Sequence, residues 1–144
     1  MKQNLFRIIQ FSLVLLMCFS SCQKEKVFLT GTEWKLVEFV DVATGEMKKA
    51  EPTDKWCYRL TLHKNRKMSG YSSTNSLEGK YKINYTQNYI KITIELMTLV
   101  NEYDDGDFYL ESLENVNFFS VQENELKLYY NNKQNYLLFK KQEL

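Results

Sequence analysis

Residues 79–96, GKYKINYTQNYIKITIEL, contain two alternating runs joined by a polar turn, and this stretch decides the fold. Successive side chains of a strand point to opposite faces, so apolar residues at every second position form one face. The residues that do so here are Tyr81, Ile83 and Tyr85, followed by Ile90, Ile92, Ile94 and Leu96. Thr86, Gln87 and Asn88 lie between the two runs. The stretch therefore predicts a β-hairpin with one apolar face.

Similar short runs continue on both sides of this hairpin. Together with it they predict eight strands, at residues 30–42, 56–63, 68–73, 79–85, 89–96, 117–122, 125–130 and 135–140. Gly70 is expected to mark a bend. Polar residues predict loops at 46–54, which contains Pro52, and at 72–78.

One short helix interrupts the strands. The helix is predicted at residues 108–115, because Tyr109, Leu113 and Val116 recur at helical spacing, and Asp104 and Asp105 are expected to cap it. No long helices alternate with the strands, which argues against a parallel α/β sheet. The sequence predicts a mainly β fold: a small antiparallel barrel or strongly curved sheet of about eight strands, with one short helix before the last three strands.

The N-terminus has the layout of a secretory signal. Lys2 and Arg7 are followed by an apolar stretch at 8–19, which is shorter than the roughly 20 residues of a membrane-spanning helix. The sequence at 19–22, FSSC, resembles the lipobox of bacterial lipoproteins, which implies cleavage after residue 21 and lipidation of Cys22. A buried helix of the folded domain and an ordinary secretory cleavage site are the alternatives.

These features predict three regions. Residues 1–21 are a lipoprotein signal peptide, residues 22–28 are a tether after the lipidated Cys22, and residues 29–144 are a single β domain. The charged residues 23–26, QKEK, are similar to short export signals of surface lipoproteins in Bacteroides-like bacteria. We therefore expect a lipid-anchored protein of the cell envelope, at the outer membrane or, as an alternative, at the cell surface.

Charge and cysteine content exclude several classes. The formal charge of +1 becomes −1 once Lys2 and Arg7 are removed, and nucleic-acid binding requires a concentrated basic face. Cys18 lies in the signal and Cys22 is expected to carry lipid. Only Cys57 remains, so the mature domain is expected to have no internal disulfide and to depend on packing.

Candidates for catalysis and metal binding are few. His63 is the only histidine, and on one strand it would lie roughly 20 Å from Cys57, too far for a dyad. The acidic residues around Gly106 do not follow the calcium-loop spacing, and no pair stands out among Glu33, Glu38, Glu78, Glu95 and Glu102. We therefore predict no catalytic residues, no metal site and no cofactor.

Several motifs along residues 29–140 resemble META domains, also called the HslJ-like family. Residues 29–37, LTGTEWKLV, are similar to the family's opening, and Asn75, Gly79 and Tyr81 match its central motif. Thr74 stands where the family often has cysteine, and the later cysteine, after Met97 and Thr98, is also missing. The resemblance implies a small β-rich envelope domain, often lipid-anchored and linked in general terms to stress tolerance, without an established catalytic residue set.

Three functions remain open. The first is a non-enzymatic lipoprotein that binds an envelope protein or has a structural role, attached to the membrane through lipid on Cys22. The second is a lipocalin-like carrier that holds a small apolar ligand in its barrel, suggested by the spacing of Gly31 and Trp34 and by the many aromatic residues, which otherwise fill a core. The third is a hydrolase that uses a carboxylate pair.

Overall fold

A computed structural model describes residues 29–142. The elements are β1 (Glu33–Asp41), β2 (Met47–Lys49), β3 (Arg59–Leu62), β4 (Lys67–Tyr71), β5 (Ser76–Asn84), β6 (Tyr89–Met97), α1 (Gly106–Asn115), β7 (Phe118–Gln122), β8 (Glu125–Tyr130) and β9 (Asn135–Lys141). A 3-10 turn at Asn131–Lys133 joins the last two strands. The predicted signal peptide and Cys22 lie outside the described residues.

The strands form one antiparallel sheet that closes on itself. Each of β3 to β9 lies beside the next in chain order, and β9 pairs with β1, which pairs with β3. Eight strands thus form a closed barrel, and the short helix precedes the last three of them. The fold predicted from the alternating pattern is confirmed. The remaining strand, β2, pairs only with the second half of β1. Residues 46–54, which were predicted to be a loop, therefore contain a short strand.

The hairpin that decided the fold is present as β5 and β6. Ile83 lies opposite Ile90, and Tyr81 lies opposite Ile92. A bulge follows, because Gly79 pairs with Ile94 while Glu78 pairs with Leu96, which leaves Glu95 without a partner in the ladder. An extra residue reverses the faces beyond it. Leu96, predicted on the core face, is consequently 66% exposed.

The barrel interior is filled by its own side chains. The largest fully buried residues are Trp34, Tyr58, Tyr109, Phe139, Leu29, Leu36, Leu60, Leu62, Met68, Leu77, Ile90 and Ile92. Helix α1 contributes Tyr109 and Leu113, and Val116 follows at its C-cap; all three are fully buried, as their spacing predicted. The Tyr109 ring packs edge-on against Tyr58, with ring centroids 5.2 Å apart. None of the helices within residues 29–142 is both long enough and apolar enough to cross a bilayer.

The strand predicted at 56–63 begins later than expected. Tyr58 has φ +54°, a left-handed conformation that breaks the alternation, and β3 starts only at Arg59. Tyr58 is still buried, but Trp56 is 61% exposed rather than on the core face. The polar loop predicted at 72–78 is also shorter, because β5 begins at Ser76.

Gly70, which was expected to mark a bend, lies within a continuous β4 and pairs with Leu60 on one side and Leu77 on the other. A Cβ atom there would lie 2.2 Å from the carbonyl oxygen of Arg59, so glycine allows the two strands to approach closely.

The prediction that an acidic side chain caps the helix was wrong. Asp105 occupies the N-cap position of α1, but its side chain makes no capping hydrogen bond. Instead its carboxylate accepts hydrogen bonds from the Lys48 ammonium and from the Glu51 N–H, the latter at 3.0 Å. The acidic residue that was expected to cap the helix therefore joins the start of α1 to β2.

A pair of tyrosines tests this packing. The Tyr58 hydroxyl donates a hydrogen bond to the Glu51 carbonyl oxygen, whereas the buried Tyr109 hydroxyl has no partner among the described residues. An unpaired buried hydroxyl costs free energy, whereas Tyr58→Phe removes one of two hydrogen bonds to the Glu51 carbonyl oxygen, which still accepts from the Asp105 N–H at 3.0 Å. We expect Tyr109→Phe to leave the free energy of unfolding unchanged or raised, and Tyr58→Phe to lower it by about 1 kcal/mol. Urea denaturation measures both, and equal losses in the two variants would contradict the account.

Candidate functional site

A buried polar cluster holds together the irregular chain segments at one end of the barrel. Its centre is the Glu102 carboxylate, which accepts hydrogen bonds from the N–H groups of Ser73 and Thr74 at 3.1 and 3.3 Å. The hydroxyl groups of Ser72 and Ser73 and the side-chain amide of Asn75 donate to the same carboxylate. The loop at residues 72–75 thus encloses Glu102 on several sides.

Asn75 extends this cluster to the segment that follows β6. Its side-chain amide donates to the Val100 carbonyl oxygen at 2.7 Å, and its own oxygen accepts from the Val100 N–H at 2.8 Å and from the Thr98 hydroxyl at 2.9 Å. Asn75 is fully buried. Residues 98–103 have no regular backbone ladder, so these bonds fix their position.

The electrostatics of Glu102 indicate an acceptor that is ionised at neutral pH. Burial by itself would raise the pKa of this carboxyl, but the hydrogen bonds from Asn75, Ser72, Ser73 and Thr74 outweigh it and lower the pKa below its usual value. A general acid needs the opposite shift. The arrangement therefore suits a structural role and not proton donation at neutral pH. We call the cluster formed by residues 72–75 and Glu102 the latch.

Gly106, at the start of α1, completes the cluster. A Cβ atom at this position would lie 2.3 Å from a Glu102 carboxylate oxygen and 2.4 Å from the Ser73 hydroxyl. The absence of a side chain lets the helix begin directly against the latch. Spacing alone does not predict that Gly106 contacts Glu102 and Ser73. In the sequence, Gly106 bears only on the calcium-loop pattern, which it does not fit.

The residues considered for nucleophilic catalysis are kept apart. Cys57 precedes β3 and is buried, where its thiol donates to the Ser73 carbonyl oxygen at 3.2 Å and burial raises its pKa. His63 follows β3, at the strand's other end, and its Nε2 lies 2.8 Å from the Ser69 hydroxyl. A thiol with a raised pKa is a poor nucleophile.

The acidic residues also have other partners. Glu33 forms an ion pair with Arg59, and Glu95 forms one with Lys80. The pKa values of Asp41 and Glu125 are lowered, chiefly by hydrogen bonds from Thr44 and Lys140 respectively. Within residues 29–142 no group of three or more His, Cys, Asp or Glu side chains is arranged to hold a metal ion.

The exposed aromatic Trp56 is already in contact with cations. The Lys55 ammonium lies 4.7 Å from the ring centroid, and the Arg59 guanidinium carbon lies 5.2 Å from it. Such contacts stabilise an aromatic ring at a surface. Among the residues that the structure describes, seven other aromatic residues are buried in the core, whereas Tyr71, Tyr85, Tyr89, Tyr103 and Phe108 are exposed, so core packing accounts for only part of the aromatic content.

An exposed apolar rim, defined here as Leu96, Met97, Leu99 and Val100, is the most conspicuous surface feature. Leu99 is 93% exposed and Val100 is 58% exposed, although the cluster around Asn75 holds their backbone in place. Beside the rim lies a shallow groove of about 260 Å³ between β6 and α1, lined by Ile94, Glu95, Leu96, Met97, Leu110 and Glu114. Sequence reasoning missed this rim because it assigned Leu96 to the core.

A second groove, of about 170 Å³, lies near the end of β1. Its lining is Phe39, Val40, Asp41, Glu46, Lys48, Phe108, Tyr130 and Asn135. Both grooves open to the outside of the barrel. Pockets for drug-sized ligands usually measure about 300–1,000 Å³ and are more enclosed.

The ionised state of Glu102 makes the latch sensitive to pH. Because the folded-state pKa is lowered, its contribution to stability is present above the unfolded pKa of about 4.3 and is lost as the pH falls through the folded value. We expect Glu102→Gln to lower the free energy of unfolding at pH 7 by about 1–3 kcal/mol, since it leaves buried donors unsatisfied.

Denaturation across the pH range checks this expectation. The difference between wild type and Glu102→Gln should shrink below pH of about 4. Glu111→Gln, on the exposed surface of α1, is the matched control and should change stability by less than about 0.5 kcal/mol. A constant difference between wild type and Glu102→Gln from neutral to acidic pH would show that Glu102 is not the ionised acceptor.

Known structures share this fold. A DUF4847 family protein from Bacteroides vulgatus superimposes with a TM-score of 0.62 at 17% identity, and the match covers 83% of this chain and 99% of that one. A protein from Burkholderia xenovorans, determined by NMR, gives a TM-score of 0.64 at 23% identity over 81% of this chain and 85% of its own. At these identities the likeness shows the fold and not the function.

Sequence comparison identifies a relative. No protein-family model matches the chain, so the resemblance to META domains stays a prediction. A Tannerella forsythia protein named "Putative lipoprotein" is 30% identical over 151 aligned residues, and the match covers 97% of each protein. The chain belongs to the same lipoprotein family as this Tannerella forsythia protein.

Proposed function

We propose that this chain is a lipid-anchored protein of the cell envelope, held by acyl chains on Cys22, whose barrel acts through its outer surface and without catalysis. The observation that carries the proposal is the filled interior. A small eight-stranded barrel can be packed with side chains or can hold one ligand, and here the space is occupied by residues such as Trp34, Tyr58 and Phe139.

The anchor is supported by the N-terminal sequence and by the relative. The match to the Tannerella forsythia protein covers 97% of this chain and therefore spans the segment around Cys22. Each buried methylene contributes about 0.8 kcal/mol, so several acyl chains hold a protein firmly where one does not. The outer membrane, with exposure at the cell surface as the alternative, is the location that we propose for the anchored domain.

The absence of catalysis is part of the same proposal. Glu102, the most extensively hydrogen-bonded carboxylate, is held ionised by the loop at 72–75, and Cys57 and His63 lie beyond opposite ends of β3. A structural role of the stress-tolerance type, which the META resemblance implies, is compatible with this arrangement. A carrier role is less well supported, because the two grooves are shallow and lie outside the barrel.

Metabolic labelling with an alkyne analogue of palmitate tests the anchor. We expect the wild-type chain to be labelled and to sediment with membranes, and Cys22→Ala to lose both properties, because acyl chains attach through this thiol. Cys57→Ala is the matched control and should keep the label, since Cys57 is buried within the domain. Equal labelling of wild type and Cys22→Ala would refute lipidation at this site.

A further inference from the structure

Strand β6 is paired along its whole length on one side only. It pairs with β5 from Tyr89 to Met97, but on its other side β7 meets it only where Phe118 lies opposite Tyr89. The outer edge of β6 from Lys91 to Met97 therefore has no neighbouring strand within residues 29–142. This is the seam of the barrel, the place where two consecutive strands separate.

Backbone groups along this seam point outward. The Ile90 N–H donates to the Asn117 carbonyl oxygen at 3.3 Å, on the side away from β5. Because backbone groups alternate sides along an antiparallel strand, those of Ile92 and Ile94 point the same way. Ile92 is fully buried, whereas Ile94 is partly exposed and residues 95–97 are exposed, so the accessible part of the edge runs from Ile94 to Met97. In the part of the chain that the structure describes, the backbone of residues 91–97 forms hydrogen bonds only with β5. Unpaired edges of this kind are templates for a further strand.

The seam opens into the groove between β6 and α1. Leu96, Met97 and Leu110 provide apolar contacts in it, and the apolar rim continues the surface to Leu99 and Val100. Soluble proteins seldom expose such contiguous apolar surface unless it binds something. Residues 94–97 of β6 line the groove. Because paired strands have the same rise of about 3.4 Å per residue, a groove of this length holds about four residues of an extended segment.

The wall of the groove is acidic. Asp107, Leu110 and Glu114 follow one another at intervals of three and four residues, which places them on one side of α1. Residues 106–115, GDFYLESLEN, contain no basic side chain. The Lys91 ammonium donates to the backbone carbonyl oxygen of Glu114. Within residues 29–142 the Glu114 carboxylate forms no ion pair, so it is available to a positively charged partner.

We propose that the outer edge of β6 binds an extended segment of another protein, in which apolar and basic residues alternate, as an added strand. Backbone hydrogen bonds to the Ile94 edge would supply affinity, and side chains directed at Leu96, Leu110 and Glu114 would supply selectivity. The inference specifies the partner for the binding role proposed above, but it does not depend on lipidation of Cys22.

A soluble form of the mature chain, starting at residue 22 and carrying Cys22→Ser, allows the test. The probe is a synthetic hexapeptide of alternating lysine and valine, and a hexapeptide of alternating glutamate and valine is its control. In NMR titrations we expect the lysine peptide to shift amide signals in β6 and α1 and to slow hydrogen exchange at the Ile94 amide. We expect the glutamate peptide to bind about tenfold more weakly.

Two charge reversals localise the effect. Glu114→Lys should weaken binding of the lysine peptide about tenfold, because it reverses the charge of the groove wall. Glu123→Lys, in the exposed turn between β7 and β8, makes the same change in net charge and should leave binding unchanged.

Four results would overturn the proposal: no shifts at millimolar peptide, equal binding of both peptides, equal weakening by both variants, or a dimer of this chain that pairs two β6 edges. None of these results bears on whether Cys22 carries lipid, which the labelling experiment tests separately.

Discussion

Closure of the barrel by β1 and β9 is the constraint on which the other features depend. The pairing runs from Trp34 opposite Lys141 to Asp41 opposite Asn135, and it brings together the first and last long strands of the chain. Once the sheet closes, the alternating apolar faces point into one small space. Trp34, Tyr109 and Phe139 occupy that space, and the proposed binding role is therefore assigned to the outer surface.

Closure is completed differently at the seam between β6 and β7. There α1 packs beside β6, and its residues Tyr109 and Leu113, with Val116 at its C-cap, enter the core in place of a continuous ladder. The latch around Glu102 fixes the segment that leads from β6 to the helix. Because α1, and not a strand, lies beside most of β6, the edge of β6 is left unpaired and an acidic groove forms between the two. The way in which the barrel closes here therefore also produces the candidate binding surface.

Features set by local sequence were predictable, whereas those set by distant contacts were not. Alternation predicted the β5–β6 hairpin, and the spacing of Tyr109, Leu113 and Val116 predicted the helix, because both patterns are local. The extra residue at Glu95 carries no signature in the sequence, and it moved Leu96 from the core to the rim. Asp105 was expected to cap the helix, but Lys48 and Glu51, more than fifty residues earlier, bind its carboxylate instead. The latch was missed for the same reason, since Glu102 lies far along the chain from Ser72 and Asn75.

Native mass spectrometry of the protein purified from bacterial membranes tests most directly the claim that the barrel is filled and acts through its surface. The account predicts a mass equal to that of the chain from Cys22 onward plus its covalent acyl groups, with no small molecule that dissociates on activation. A stoichiometric, noncovalently bound small molecule that is released only when the barrel unfolds would contradict it.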